Sequence, residues 1–262
     1  MSAGQRAWLG RIVPPVAVLV LVGAVWQGGL IHAVFHVREF TLPYLSSIGE
    51  AAIEQWSVLA GHARTTLIEA GSGYAIGSTL GFLLAVLFVR FPNRVGGLPG
   101  LMSGLNATPI VALAPVAVLW FGTDIASKIA VVILMTMAPM AVSTTKGLGD
   151  VDPAAFDLME SYAAKDRDII RRLRIPSAMP YVFTALKLNV TLALIGAIIA
   201  EFFSALGGLG FFMNRSLVAF DMAVAWSTMA LAGLFGVVAY LSVEAIERVV
   251  IPWHSSIRRG TP

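Results

Sequence analysis

Residues 66–94 read TLIEAGSGYAIGSTLGFLLAVLFVRFPNR, an apolar run from about Thr66 to Val89 closed by Arg90 and Arg94. As a helix it can cross a hydrocarbon layer about 30 Å thick, which takes roughly 20 residues. Gly71, Gly73, Gly77 and Gly81 form a stripe of small residues within it. The last three repeat a small-xxx-small spacing, which lets a second helix approach closely. Working outward, the same length criterion finds partners for that span. One runs from Ile12 to about Leu30 behind Arg6 and Arg11. It is long and no small-x-small cleavage site follows, so it reads as a retained helix rather than a signal peptide. Others cover about Leu98–Phe121, interrupted by Asn106, Pro109 and Pro115, and Ile125–Thr144, containing Pro139. The last two are Met179–Leu206 and Met222–Val250, with Pro252 and Trp253 at the exit.

Composition agrees. The 262 residues are 57% hydrophobic and 13% charged, and their mean hydropathy is +0.81. A soluble domain carries about 25% charged residues, so the chain has more apolar surface than a core of this size can bury. The expected fold is an all-α membrane protein of about six transmembrane helices, a single transmembrane domain over residues 1–262. With no cysteine, disulfides and thiolate chemistry are excluded. Lys and Arg decide orientation. With the N-terminus inside, Arg6, Arg11, Arg90, Arg94, Lys146, Lys165, Arg167, Arg171, Arg172, Arg174, Lys187, Arg248, Arg258 and Arg259 fall inside, 14 of the 18 basic residues. Only Arg38, Arg64, Lys128 and Arg215 fall outside. The small positive net charge is thus a topology signal, and no nucleic-acid partner is expected. Both termini are expected in the cytoplasm.

Two segments are not plain spans. Over about residues 40–63, Ile48, Ala52, Ile53, Trp56, Leu59 and Ala60 repeat at helical spacing, with Glu50, Glu54 and Gln55 opposite. This reads as an amphipathic helix at the outer interface or packed outside the membrane. The connection over about residues 146–178 is the longest inside segment. Asp152 followed by Pro153 is a helix start, an N-cap and then proline at the first helical position. Phe156, Met159 and Ala163 share a face. Asp166 is placed to cap a second helix whose last turns hold Arg171, Arg172 and Arg174, as the helix dipole favours, and Pro176 is expected to end it. A helix pair with an apolar stripe either docks into a groove of a soluble partner or packs under its own bundle; the pattern alone leaves both open.

Residues 157–180, DLMESYAAKDRDIIRRLRIPSAMP, resemble the EAA loop of permease subunits of bacterial ABC importers. That pattern is Glu-Ala-Ala, three residues, Gly, nine residues, an apolar residue, any residue, then Leu-Pro. Aligned on Pro176, the glutamate falls on Asp157, the glycine on Ala163, and Ile175 replaces the leucine. Tyr181–Lys187, Ala200-Glu-Phe202, Gly207-Gly-Leu-Gly210 and Leu119-Trp-Phe-Gly122 are also similar to that family, nearest the branch importing nitrate, sulfonates, taurine and thiamine-precursor-like heterocycles. The resemblance implies a homodimer in the inner membrane, two cytoplasmic ABC ATPase subunits, and a periplasmic or lipid-anchored substrate-binding protein. It also implies that Asp157, Met159, Glu160, Ala163, Ala164, Arg167, Ile169 and Pro176 carry the ATPase contact. No cofactor is expected in this chain, since it lacks a G-x-x-x-x-G-K-[S/T] phosphate loop; ATP and Mg would sit in the partner. Alanine at 163 would be strained by about 1 kcal/mol if the bend needed positive φ; ordinary dihedrals are expected there.

Candidate pathway residues are Asn106, Thr108, Pro109, Trp120, Phe121, Asn189 and Glu201. An intramembrane carboxylate such as Glu201 is functional by default, as substrate contact, gate or ion pair. Asn106, Thr108 and Pro109 break a span and either free backbone groups to line a cavity or merely kink the helix. Trp120 and Phe121 suit an aromatic belt or cargo stacking. Asn189 suits helix–helix glue, and Lys187 is expected to reach the interface with its charged end. Asn214, Arg215 and Asp221 are placed in an outer loop. His32 and His36 have i, i+4 spacing without an H-E-x-x-H motif, and no metal site is assigned. An ion-driven secondary transporter would show internal repeats and several buried ionisable groups; an intramembrane enzyme would show paired catalytic groups. The sequence offers Glu201 and no clear repeat.

Overall fold

The computed structural model describes residues 3–92, 97–204 and 206–252, with side chains from Val13 onward except those of Leu98, Pro99, Ile110 and Ser204; Arg94, Trp253, His254, Arg258 and Arg259, and the side chains of Arg6 and Arg11, lie outside what is described. Among the described residues all regular structure is helical. In chain order the helices are α1 (Ala3–Gln27), α2 (Leu30–Phe35), α3 (Leu45–Glu54), α4 (Trp56–Arg90), α5 (Leu98–Asn106), α6 (Ile110–Phe121), α7 (Ile125–Gly149), α8 (Pro153–Ser161), α9 (Asp166–Ile169), α10 (Ile175–Ser204), α11 (Leu209–Val218) and α12 (Met222–Val250). Four helical runs, Trp56–Arg90, Ile125–Gly149, Asp166–Phe203 and Met222–Val250, are long and apolar enough to cross a membrane. The pair α5–α6, bent by 103°, makes a fifth, and Val13–Gln27 is a shorter apolar stretch within α1.

α7 lies at the centre, packed between α4 and α10. The glycine stripe explains how closely α4 approaches it. A Cβ at Gly73 would fall on the Val132 side chain, one at Gly77 on Thr136, and one at Gly81 on Met137 O and Met140. Thr136 and Val132 are fully buried in the seam so formed. On the other side Gly147 receives the Tyr181 ring and Gly196 the Met135 sulfur. Small residues therefore set both interfaces of the central helix, as packing in lipid requires.

Several boundaries differ from the sequence reading. The amphipathic stretch is not one helix. It breaks at Gln55 (φ −93°, ψ 10°), and residues from Trp56 onward already belong to α4. Leu59 and Ala63 explain this, because they are buried against Leu209 and anchor α4 ten residues before the expected start at Thr66. α3 packs on α12, with Ile48 and Ala51 buried and Ile53 exposed. Pro176 does not end the loop helix. The backbone widens into a π turn over Ile170–Arg174, where Ile175 N–H bonds to Ile170 O. Pro176 then stands directly after this widened turn, which opens the hydrogen-bond ladder where its missing N–H falls. Residues Asp166–Phe203 thus form one run of 38 residues. Finally, the outer loop holding Asn214 and Arg215 is a helix, α11, packed on α12 and α10.

Candidate functional site

The candidate residues gather in three places. The first is the hairpin of α8 and α9 at the end of the bundle bearing Arg90 and Lys146. Asp152 caps α8, its carboxylate accepting from Ala154 N–H at 3.0 Å. The helix closes in a Schellman arrangement: Ala163 N–H bonds to Glu160 O at 2.8 Å and Ala164 N–H to Met159 O at 3.0 Å. This puts Ala163 at the left-handed position with φ 50°, so the expectation of ordinary dihedrals there is wrong. Two orphan carbonyls are satisfied only if the next residue turns left-handed, the usual reason for glycine. Asp166 is not the cap expected of it; Lys165 is. Its carboxylate instead takes the Arg90 guanidinium at the end of α4. Arg174 donates to Leu148 O at 3.1 Å and stacks over Phe156 at 5.4 Å. Tyr181 donates to Asp150. The hairpin is therefore stapled to α4, α7 and α10. Ile169 and, in part, Met159 and Ala164 face inward, while Asp157, Glu160, Arg167 and Pro176 are exposed. Leu158 and Tyr162, at 57% and 79% exposure, stand out on the same surface; sequence analysis did not single them out as contacts.

The second place is the break between α5 and α6. Asn106, Thr108 and Pro109 are exposed there. Trp120 and Phe121, also exposed, border an apolar cavity of about 410 Å³ with Leu105 and Leu113.

The third place is the interior. Asn189 is fully buried and donates to Ser78 Oγ at 3.0 Å and Thr136 O at 2.8 Å, tying α10 to α4 and α7 rather than facing a cavity. Glu201, 1% exposed, accepts from Thr66 Oγ1 and from Gly210 N–H, both at 2.6 Å. Leu209 N–H donates to Thr66 Oγ1 at 2.8 Å, and Gly208 N–H to His62 Nδ1 at 3.1 Å. Thus the first amides of α11, which carry the positive end of its dipole, meet a carboxylate from the preceding helix. Glu69 and Lys128, which the sequence reading passed over, complete the cluster and are both 2% exposed. Glu69 Oε2 is buried without a hydrogen-bond partner among the described residues. The Lys128 ammonium donates to Thr123 O and Asp124 O in the turn after α6. A signal for Glu69 was present: it is a carboxylate inside the Thr66–Val89 span.

Lys187 has a partner that the sequence reading did not name. It pairs with Glu247 of α12 at 2.8 Å, the two side chains 21% and 9% exposed. Asn214 donates to Phe202 O at 3.1 Å and Asp221 caps α12; both hold structure rather than an open outer loop.

Residues 77–255 match the model of the binding-protein-dependent transport system inner membrane component family. The chain belongs to that family. Among its relatives, the formylaminopyrimidine transport permease protein ThiX of Halalkalibacterium halodurans is 33% identical over 73% of this chain and 77% of its own length. The putative aliphatic sulfonates transport permease protein SsuC of Escherichia coli is 28% identical over 97% of this chain and 96% of its own. The riboflavin transport system permease protein RibX of Chloroflexus aurantiacus is 25% identical over 97% and 94%. In fold the chain is similar to an amino acid ABC transporter solved with histidines (TM-score 0.61, 15% identity, 76% of this chain and 96% of that one). An inward-facing MetNI methionine ABC transporter is similar too (TM-score 0.56, 18% identity, 75% and 94%). The chain is accordingly an ABC importer permease, a multi-span transport subunit of the inner membrane and not an enzyme, in the branch its loop resembles.

Proposed function

We propose that this permease works as a homodimer with two cytoplasmic ATPases, moving a small polar or heterocyclic solute inward by alternating access. The solute class comes from relatives named for formylaminopyrimidine, sulfonates and riboflavin. A periplasmic or lipid-anchored binding protein delivers the cargo, ATP and Mg reside in the ATPases, and both termini face the cytoplasm. The observation that carries this reading is the stapled hairpin of α8 and α9. It exposes Leu158 and Tyr162 beside Asp157 and Glu160, an apolar and acidic surface suited to a groove on a soluble partner. It also runs without a break into α10 and is pinned to α4 through Arg90 and Asp166. A push on the hairpin is therefore delivered to the helices flanking α7. In the dimer, the exposed break at Asn106, Thr108 and Pro109 with Trp120 and Phe121 lines the pathway, because freed backbone is tolerated at membrane depth only beside protein or water.

The ion-driven alternative draws support from buried Glu69, Lys128, Glu201 and Glu247. Glu201, however, is engaged with the first amides of α11, Lys128 with the turn after α6, and Glu247 with Lys187. The test is the double substitution Asp157→Arg with Glu160→Arg. The permease is expected to insert and fold, since both side chains are exposed, while the ATPase no longer copurifies or no longer couples. Unchanged copurification and uptake would sink the docking role.

A further inference from the structure

Gly208, Leu209 and Gly210 offer three successive amides, and each is held by a side chain from α4 or α10: His62, Thr66 and Glu201. The two glycines are what allow the loop to close over the carboxylate. Gly208 has φ 99°, and a Cβ there would fall inside the Glu201 carboxylate; one at Gly210 would meet Ile198 O and Glu201. On the other side, Ala200, the neighbour of Glu201 in α10, is buried against Ala114 and Ala117 of α6 and Val131 of α7. Hydrogen bonds and packing around Glu201 therefore join α11, at the surface opposite the hairpin, to α6, whose Trp120 and Phe121 border the apolar cavity. Thr66 and Glu201 are almost fully buried, so each of their hydrogen bonds is costly to break. Linked groups of this kind transmit displacement when the element at either end has two arrangements.

We propose that Thr66 and Glu201 are positioning residues that make α11 and α6 move together during the transport cycle. This rests on the importer reading above. The chain contains no cysteine, so single reporters can be placed at Val218→Cys on α11 and Leu119→Cys on α6, both largely exposed. Each is read in the full complex with its ATPases, by the rate of reaction with a membrane-impermeant maleimide, with and without ATP and vanadate. With Thr66 intact, trapping is expected to change both rates at least threefold. In T66V the α6 reporter keeps its response and the α11 reporter loses it, while T66S, which retains the hydroxyl, restores both. A merely structural role would lower the yield of T66V without separating the two responses. Should T66V fail to insert, E201Q, which keeps the shape and weakens the hold on Gly210, is expected to cut the α11 response at least twofold. Responses in T66V and E201Q equal to the unsubstituted permease would overturn the proposal. Absence of any response with Thr66 intact would instead overturn the ATPase-driven reading on which it stands.

Discussion

Ala163 shows how one side-chain methyl can be weighed. It sits at φ 50° between two helices, its own N–H bonding to Glu160 O while Ala164 N–H bonds to Met159 O to close α8. For an L-residue the left-handed region costs about 1 kcal/mol or somewhat more relative to glycine. The loop accepts that strain because three anchors hold it from outside: Arg90 on Asp166, Arg174 on Leu148 O and the Phe156 ring against Arg174. Ala163→Gly should therefore stabilise the hairpin by about 1 kcal/mol, which slows amide exchange across residues 153–166 roughly fivefold if exchange follows local opening. Ala163→Val should speed it, since a β-branched residue tolerates this backbone worse than alanine. Hydrogen exchange on the detergent-solubilised complex reads both. Equal exchange in the three proteins would mean that the turn is not strained.

At the scale of elements, the pairing of α10 with α12 depends on a charge contact that composition gave no reason to expect. Lys187 and Glu247 lie 60 positions apart and meet at 2.8 Å with little exposure. Removing the cation leaves a carboxylate nearly buried among apolar helices, a loss of roughly 3 kcal/mol when no solvent can replace it. Lys187→Met should accordingly lower the unfolding midpoint of the purified permease clearly. Adding Glu247→Leu should recover most of the loss, because an apolar pair needs no desolvation. A double variant no better than Lys187→Met would show that the pair supplies more than charge compensation. The same contrast explains what could be read in the sequence. The Gly73, Gly77 and Gly81 stripe and the Asp152-Pro153 cap were legible because both are local patterns with one physical meaning. The continuity of α9 with α10 was not, since a π turn that seats Pro176 leaves no compositional mark. Nor was the Glu201 cluster, whose members Thr66 and Glu201 are 135 positions apart. Glu201 could be flagged as costly, but its partners could be named only once α4, α7 and α11 were in place.

For the whole molecule, the question is which surface meets water within the membrane. Most of the exposed face of α4 is apolar, as at Leu83 with 56% exposure, and suits lipid. The break after α5 differs. Thr108 and Asn106 are polar and exposed, and the chain between them and Ile110 leaves regular helix altogether, which lipid does not tolerate unprotected. Two copies facing each other across these breaks would enclose them and leave a polar route between. In the cysteine-free chain, Thr108→Cys is then expected to react with a small water-soluble thiol reagent in sealed vesicles, and Leu83→Cys is not. Trapping with ATP and vanadate should change the Thr108→Cys rate severalfold, because alternating access opens that region to one side at a time. If Thr108→Cys proves as inert as Leu83→Cys in every nucleotide state, the break lies in a dry seam between subunits. The route would then have to run along another face of α7's neighbours. The polar groups at the break would in that case serve dimer packing, with Asn106 and Thr108 bonded across the seam rather than to solute.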